Sequence, residues 1–145
     1  MTDTPNAKRG STRTKARKRA LDILFEADLR EAPIGEILAA HQEENTPPVR
    51  DFTVELVSGV ADRLDEIDAE IVGHLADGWT LARMPRVDRN LARLAVYELT
   101  ATDTSADIVL AEAVALCQEL STDESPAFLN GLLAAVVAAR PSALS

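Results

Sequence analysis

Phe52, Leu56, Val60, Leu64, Ile67, Ile71 and Leu75 recur at steps of four or three residues through the middle of the chain. That spacing stacks apolar side chains on one face of an α-helix and does not fit the period-two alternation of a strand. A stripe this long predicts one long helix or two, and in a small domain a break near Leu64–Glu66 is expected. Composition extends the argument to the rest of the chain. Ala (24) and Leu (18), both strong helix formers, dominate the 145 residues, whereas aromatics are only 3%. The expected fold is all-α.

Turn and cap residues divide the chain further. Met1–Gly10 has no periodicity and carries Pro5 and Gly10, so a flexible basic arm is expected over residues 1–12. Ser11 or Thr12 is the expected cap of a helix over Arg13–Arg30. Pro33 opens a short second helix, Ile34–Glu43, with Ile37 and Leu38 buried, and Glu44–Pro48 is a loop. Gly78 and Pro85 bound an irregular connection holding Trp79 and Met84. Beyond it, a helix from Val87 carries Leu91, Leu94, Ala95 and Leu99 inward. The next, Asp107–Leu120, is expected to turn Ile108, Ala111, Val114, Ala115 and Cys117 to the core. Ser125 and Pro126 read as N-cap and first-turn residues of a last helix, with Gly131 permitting a close helix–helix contact. The total is about seven helices in two small bundles, over residues 13–77 and 80–140, followed by a tail at 141–145.

Little in the sequence organises catalysis. There is no phosphate-binding G-x-x-x-x-G-K loop, no G-x-G-x-x-G and no G-x-S-x-G elbow. One cysteine, Cys117, excludes an internal disulfide and a thiolate zinc cluster. His41 and His74 have no second ligand at metal-binding spacing, and Asp62–Glu70 lacks the glycine of a calcium loop, so it reads as a solvated helix face. No enzyme, cofactor or metal is expected. No apolar run approaches the roughly 18 residues of a membrane span, so no membrane partner is expected. The cytoplasm is the expected compartment. Lys8–Arg19 has the cations of a transit peptide, but Asp22 and Glu26 follow on the same helix, against that reading.

The distribution of charge is more informative than its sum. The formal net charge is −9, which argues against nucleic acid as a partner. Yet residues 1–19 hold Lys8, Arg9, Arg13, Lys15, Arg17, Lys18 and Arg19 against Asp3, a net of +6, and the remainder carries −15. A polyanion would meet a cationic amino terminus. Arg13 and Arg17 share one helical row, which Leu21 and Phe25 continue, so Phe25 is the expected platform for an unstacked base.

Three segments carry a resemblance. Ala16-Arg17-Lys18-Arg19-Ala20-Leu21-Asp22-Ile23-Leu24-Phe25 resembles the amino-terminal signature of the NusB family of bacterial antitermination factors. Val87-Asp88-Arg89-Asn90-Leu91-Ala92-Arg93-Leu94-Ala95-Val96-Tyr97-Glu98-Leu99 is similar to the family's central R-x-A-x-Y-E-L helix. Glu124-Ser125-Pro126-Ala127-Phe128-Leu129-Asn130-Gly131-Leu132-Leu133 is similar to its terminal F-V-N-G-V-L segment. The three stand in family order and span Arg13 to Val137.

The resemblance implies a NusB-like fold of two helical bundles and a factor that pairs with NusE, a small-subunit ribosomal protein. The pair would bind boxA RNA and join the RNA polymerase antitermination complex, chiefly in ribosomal RNA transcription. It further implies that Arg9, Arg13, Lys15, Arg17 and Lys18 grip RNA phosphates, with Phe25 where the family usually has tyrosine. Glu124 and Phe128 would lie beside the RNA path and Asp88 near the partner surface, while Arg93, Tyr97 and Glu98 serve structure. Ala111 and Ala127 depart from the family pattern, where Asn and a basic residue are common. The second reading is a NusB-like RNA-binding domain serving an RNA methyltransferase, for which the sequence shows no catalytic domain. The sequence leaves monomer and homodimer open.

Overall fold

The computed structural model of the protein describes the backbone of residues 4–140 and the side chains of residues 12–140. Seven α-helices and one 3-10 turn account for its regular structure, and no strand occurs among the described residues. They form two compact units that meet in sequence at Asp62–Arg63.

The first unit consists of α1 (Thr4–Arg30), α2 (Ile34–Glu44) and α3 (Asp51–Asp62), each packed on the other two. Helix α1 begins upstream of the expected Arg13, so Thr12 sits within the helix and not at its start. Ala7, Lys8 and Arg9 are good helix formers, and this propensity outweighs the Ser11-Thr12 signal. Of the expected arm, residues 1–3 and the side chains of residues 4–11 lie outside the described residues. Left-handed residues end the first two helices: Glu31 (φ 54°) follows α1, and Asn45 (φ 55°) closes α2 by donating its backbone N–H to the His41 carbonyl at 2.9 Å.

Ile23 and Leu24 of α1 meet Leu56, Val57 and Val60 of α3 in a fully buried core, with Ile37 and Leu38 of α2 closing one side. Burial of each such side chain stabilises by about 1.5–3 kcal/mol. Thr53, also buried, donates its hydroxyl to the Ala16 carbonyl at 2.9 Å and fixes α3 against α1.

The second unit holds α4 (Leu64–Val72), a 3-10 turn (Leu81–Arg83), α5 (Arg86–Ala101), α6 (Ala106–Leu120) and α7 (Ser125–Ala139). The break between α3 and α4 falls at Arg63, whose backbone leaves the helical region (φ −121°, ψ 24°), next to the expected Leu64. The boundary between bundles differs from the expected Gly78–Pro85. Helix α4 packs on α5 and buries Ile67 and Ile71 in the second unit, although its apolar stripe continues that of α3 in sequence.

Helix α5 is the centre of the second unit, packed by α4, α6 and α7 and buried on almost every side. Several of its interior polar groups are bonded to neighbouring elements. Arg93 donates to both Asp68 carboxylate oxygens, from Nε at 2.8 Å and from Nη2 at 3.0 Å. Arg89 donates to the Leu81 carbonyl at 2.7 Å, which ties the 3-10 turn to α5. No buried side-chain nitrogen or oxygen among the described residues lacks a partner.

Three local expectations need correction. In α6, Ile108 is 52% exposed, and Ala111 and Ala115 are exposed too; Val109, Ala113, Leu116 and Cys117 face inward. At α7 the capping position is Glu124, and Ser125 is the first helical residue, its hydroxyl turned inward to those of Ser121 and Thr122. Gly131 is exposed with nothing within 4 Å of the space a Cβ would fill, so it permits no close helix contact.

Candidate functional site

In the first unit the cationic row of α1 meets an aromatic ring, and that ring is Phe52. The Arg13 guanidinium carbon lies 3.9 Å from the Phe52 ring centroid, and that of Arg17 lies 5.3 Å from it. Both distances favour attraction between the cation and the ring's negative face. Phe25 cannot take this place. It stands twelve residues beyond Arg13, and at about 1.5 Å per residue the two are about 18 Å apart along the helix. It is half-buried within the first unit. Phe52 opened the apolar stripe in sequence, and only the packing of α3 on α1 brings it to the arginines. The sequence held no signal for that pairing beyond the aromatic itself.

Arg13 and Phe52 line an open cleft of about 390 Å³, together with Thr12, Ala16, Val49, Arg50 and Asp51. Arg13, Lys15 and Arg50 are exposed, Lys18 is half-buried, and the side chain of Arg9 lies outside the described residues. Arg17 differs from its expected role on the RNA surface. It is only 6% exposed, because its position in α1 falls between the buried Ala16 and Ala20 faces toward α3. Arg19 is engaged as well, donating from Nε to His41 Nδ1 at 3.3 Å and from Nη1 to the Pro47 carbonyl at 3.2 Å.

His41 in turn meets Glu26 Oε1 through Nε2 at 2.8 Å, which fits the tautomer with its proton on Nε2. Glu26 also accepts from Arg30 at 2.7 Å. These hydrogen bonds, that from His41 first, hold the Glu26 carboxyl below its ordinary value of 4.5.

In the second unit Asp88, expected near the partner surface, is 1% exposed and lies inside. Its Oδ1 accepts from the Ser121 hydroxyl at 2.6 Å, with the Cys117 thiol at 3.9 Å. Ser121 also bonds Ser125 at 3.0 Å, so one buried carboxylate joins the start of α5 to the end of α6 and the start of α7. Burial and the neighbouring Asp88 charge push the Cys117 thiol up to about 12. A thiol so held is no nucleophile at neutral pH.

Glu124 is exposed and Phe128 half-buried. The Phe128 ring packs against Trp79 with centroids 5.3 Å apart and planes tilted by 41°. Arg83 lies 5.6 Å from the centre of the Trp79 ring. Trp79 and Arg83 carry no signature in the sequence; an irregular connection between helices was all that showed. Ala127 is exposed beside this group, and Ala111 is exposed on α6.

Among the described residues no group of three or more His, Cys, Asp or Glu is placed to hold a metal ion. No helix there is long and apolar enough to cross a membrane. Guanidinium and ammonium groups of this kind can meet phosphates, and ring and guanidinium faces can meet bases.

The sequence profile of the NusB family matches residues 14–138. The transcription antitermination protein NusB of Acidothermus cellulolyticus is 59% identical over 125 residues, 86% of this chain and 86% of that protein. That of Cutibacterium acnes is 54% identical over 91% of this chain, which spans only 51% of that longer protein. Among solved structures, that of the antitermination factors NusB and NusE in complex with double-stranded RNA superposes with a TM-score of 0.78 at 30% identity. The match covers 88% of this chain and 97% of the other. Helix order, the three sequence segments and the profile match agree: the chain belongs to the NusB family.

Proposed function

We propose that this protein is a cytoplasmic transcription antitermination factor. It binds boxA-type single-stranded RNA together with NusE and joins the elongating RNA polymerase complex, chiefly for ribosomal RNA transcription. One observation carries the RNA contact. The first nineteen residues hold a net +6 in a chain of net −9, and α1 sets Arg13 on the Phe52 ring beside an open cleft. A solved fold neighbour that holds NusE and double-stranded RNA supports NusE and RNA as the classes of partner.

In this reading the exposed Arg13 and Lys15, with Lys18 and Arg9, engage phosphates. Arg17 backs the Phe52 ring from inside and keeps it in place for Arg13. Asp88 acts through structure, by holding α5, α6 and α7 together behind the surface that carries Glu124 and Phe128. The acidic remainder of the chain directs a polyanion to the amino-terminal face by repelling it elsewhere.

The test is a titration of labelled boxA-type RNA with the full chain, alone and with NusE. Binding that tightens on addition of NusE, and weakens on scrambling the RNA, supports the proposal. Equal affinity for boxA and scrambled RNA in the presence of NusE contradicts it.

A further inference from the structure

We propose that Trp79 and Arg83 form a second RNA subsite, in the connection before α5, where one unpaired base stacks on the indole and an adjoining phosphate meets the guanidinium. The inference rests on the RNA-binding reading above and adds a place on the second unit where that RNA is held.

The connection is built to keep a large aromatic at the surface. Trp79 is 42% exposed, although indole is among the side chains that gain most from burial. It follows Gly78, whose left-handed backbone (φ +88°) suits glycine, and Arg83 Nη1 donates to the Gly78 carbonyl at 2.7 Å. Thr80 then caps the 3-10 turn through its hydroxyl, which accepts from the Arg83 backbone N–H at 3.2 Å. Arg89 anchors the same turn from α5. Phe128 packs against the indole, 5.3 Å away, and the Arg83 guanidinium lies over the indole ring, 5.6 Å from its centre, where an arriving phosphate would draw it off and open the ring to a base. An exposed aromatic pair with a cation at one ring is an arrangement on which unpaired bases stack, because every base has a π-face and each brings a phosphate.

Charge points to the same occupant. After residue 19 the chain has only eight cations, and four of them, Arg83, Arg86, Arg89 and Arg93, fall within eleven residues. Arg89 and Arg93 are committed to the Leu81 carbonyl and to Asp68. Arg83 is exposed, four residues after Trp79, with one guanidinium nitrogen on the Gly78 carbonyl and the others at the surface. Asp123 and Glu124, exposed ahead of α7, repel phosphates from the Phe128 side and leave the Arg83 side as the backbone's path.

Trp79 is the chain's single tryptophan, so its own emission reports the event. The experiment titrates the full chain with fluorescein-labelled boxA-type RNA in the presence of NusE. It follows RNA anisotropy, and in a parallel unlabelled titration the tryptophan emission of a NusE variant free of tryptophan plus this chain. The expected result is quenching of Trp79 with the same midpoint as the anisotropy rise, and for Trp79→Leu a roughly tenfold loss of RNA affinity with unchanged helical circular dichroism. Arg13→Ala should weaken binding yet preserve the quench at saturation. An anisotropy rise with unchanged Trp79 emission overturns the subsite while leaving the RNA reading intact. Absence of any anisotropy rise overturns both. Loss of NusE binding in Trp79→Leu, with RNA affinity unchanged, also overturns the subsite and assigns the surface to the protein partner.

Discussion

The guanidinium of Arg13 stacks on the ring of Phe52, 3.9 Å from its centre, and so joins the cationic face of α1 to the first turn of α3. The ring orients a side chain that would otherwise sweep a wide volume, which lowers the entropy lost when a phosphate or base is bound. Phe52→Leu keeps an apolar group but removes the π-face. It should cost about 1 kcal/mol of stability and weaken RNA binding several-fold. Arg13→Ala should weaken RNA binding by more and leave the melting temperature almost unchanged. Thermal melts beside RNA anisotropy separate the two effects.

The bidentate bond of Arg93 to Asp68 is a fold contact and should behave as one. Both side chains are largely shielded, at 13% and 22% exposure. Arg93→Lys keeps the charge but loses the planar fork, so a loss of about 1–2 kcal/mol is expected, with RNA affinity unchanged. A denaturant melt reads the first quantity and anisotropy the second.

Glu26 supplies a pH dependence with a definite sign. Its carboxyl is held below 4.5 by the hydrogen bonds from His41 and Arg30. A lowered folded value means stability that is present above the ordinary carboxyl range and lost as pH falls through the folded value. Both groups are partly solvated, so the contribution is about 1 kcal/mol or less. Glu26→Gln should therefore melt below the parent chain at pH 7, and the gap should close toward pH 3. A gap that widens in acid would contradict the assignment.

Cys117 should be inert while the chain is folded. With its thiol pushed up to about 12 and fully buried, reaction with an aromatic disulfide reagent at pH 8 should be slow. In denaturant the same cysteine should react at once. Rapid reaction of the native protein would show that the α5, α6 and α7 core opens readily.

The helical fold was legible because strong stripes leave few choices: α2, α5 and α7 fall within about a residue or two of where caps and periodicity put them. The face of α6 was not, because Ile108, Val109 and Leu110 are consecutive apolar residues and the helix is apolar on several sides. Periodicity cannot choose a face there; packing on α5 and α7 does. Likewise the α3–α4 stripe reads as one unit although its halves pack into different ones. The cationic row was legible from composition, since charge needs no partner to be counted. Phe52, Trp79 and the burial of Arg17 and Asp88 were not, for each depends on which helix lies opposite.

The central claim is that cations of the amino-terminal segment hold RNA phosphates, and the salt dependence of binding measures it most directly. For a single strand the slope of log K against log salt is about −0.7 per neutralised phosphate. Seven cations would give about −5; Arg17 is buried, which leaves at most six, or about −4. The amino-terminal segment is therefore expected to contribute up to about −4 to the slope for labelled boxA-type RNA, and Arg13→Ala to reduce the slope's magnitude by about 0.7. A slope near zero, or one that Arg13→Ala leaves unchanged, would contradict the account.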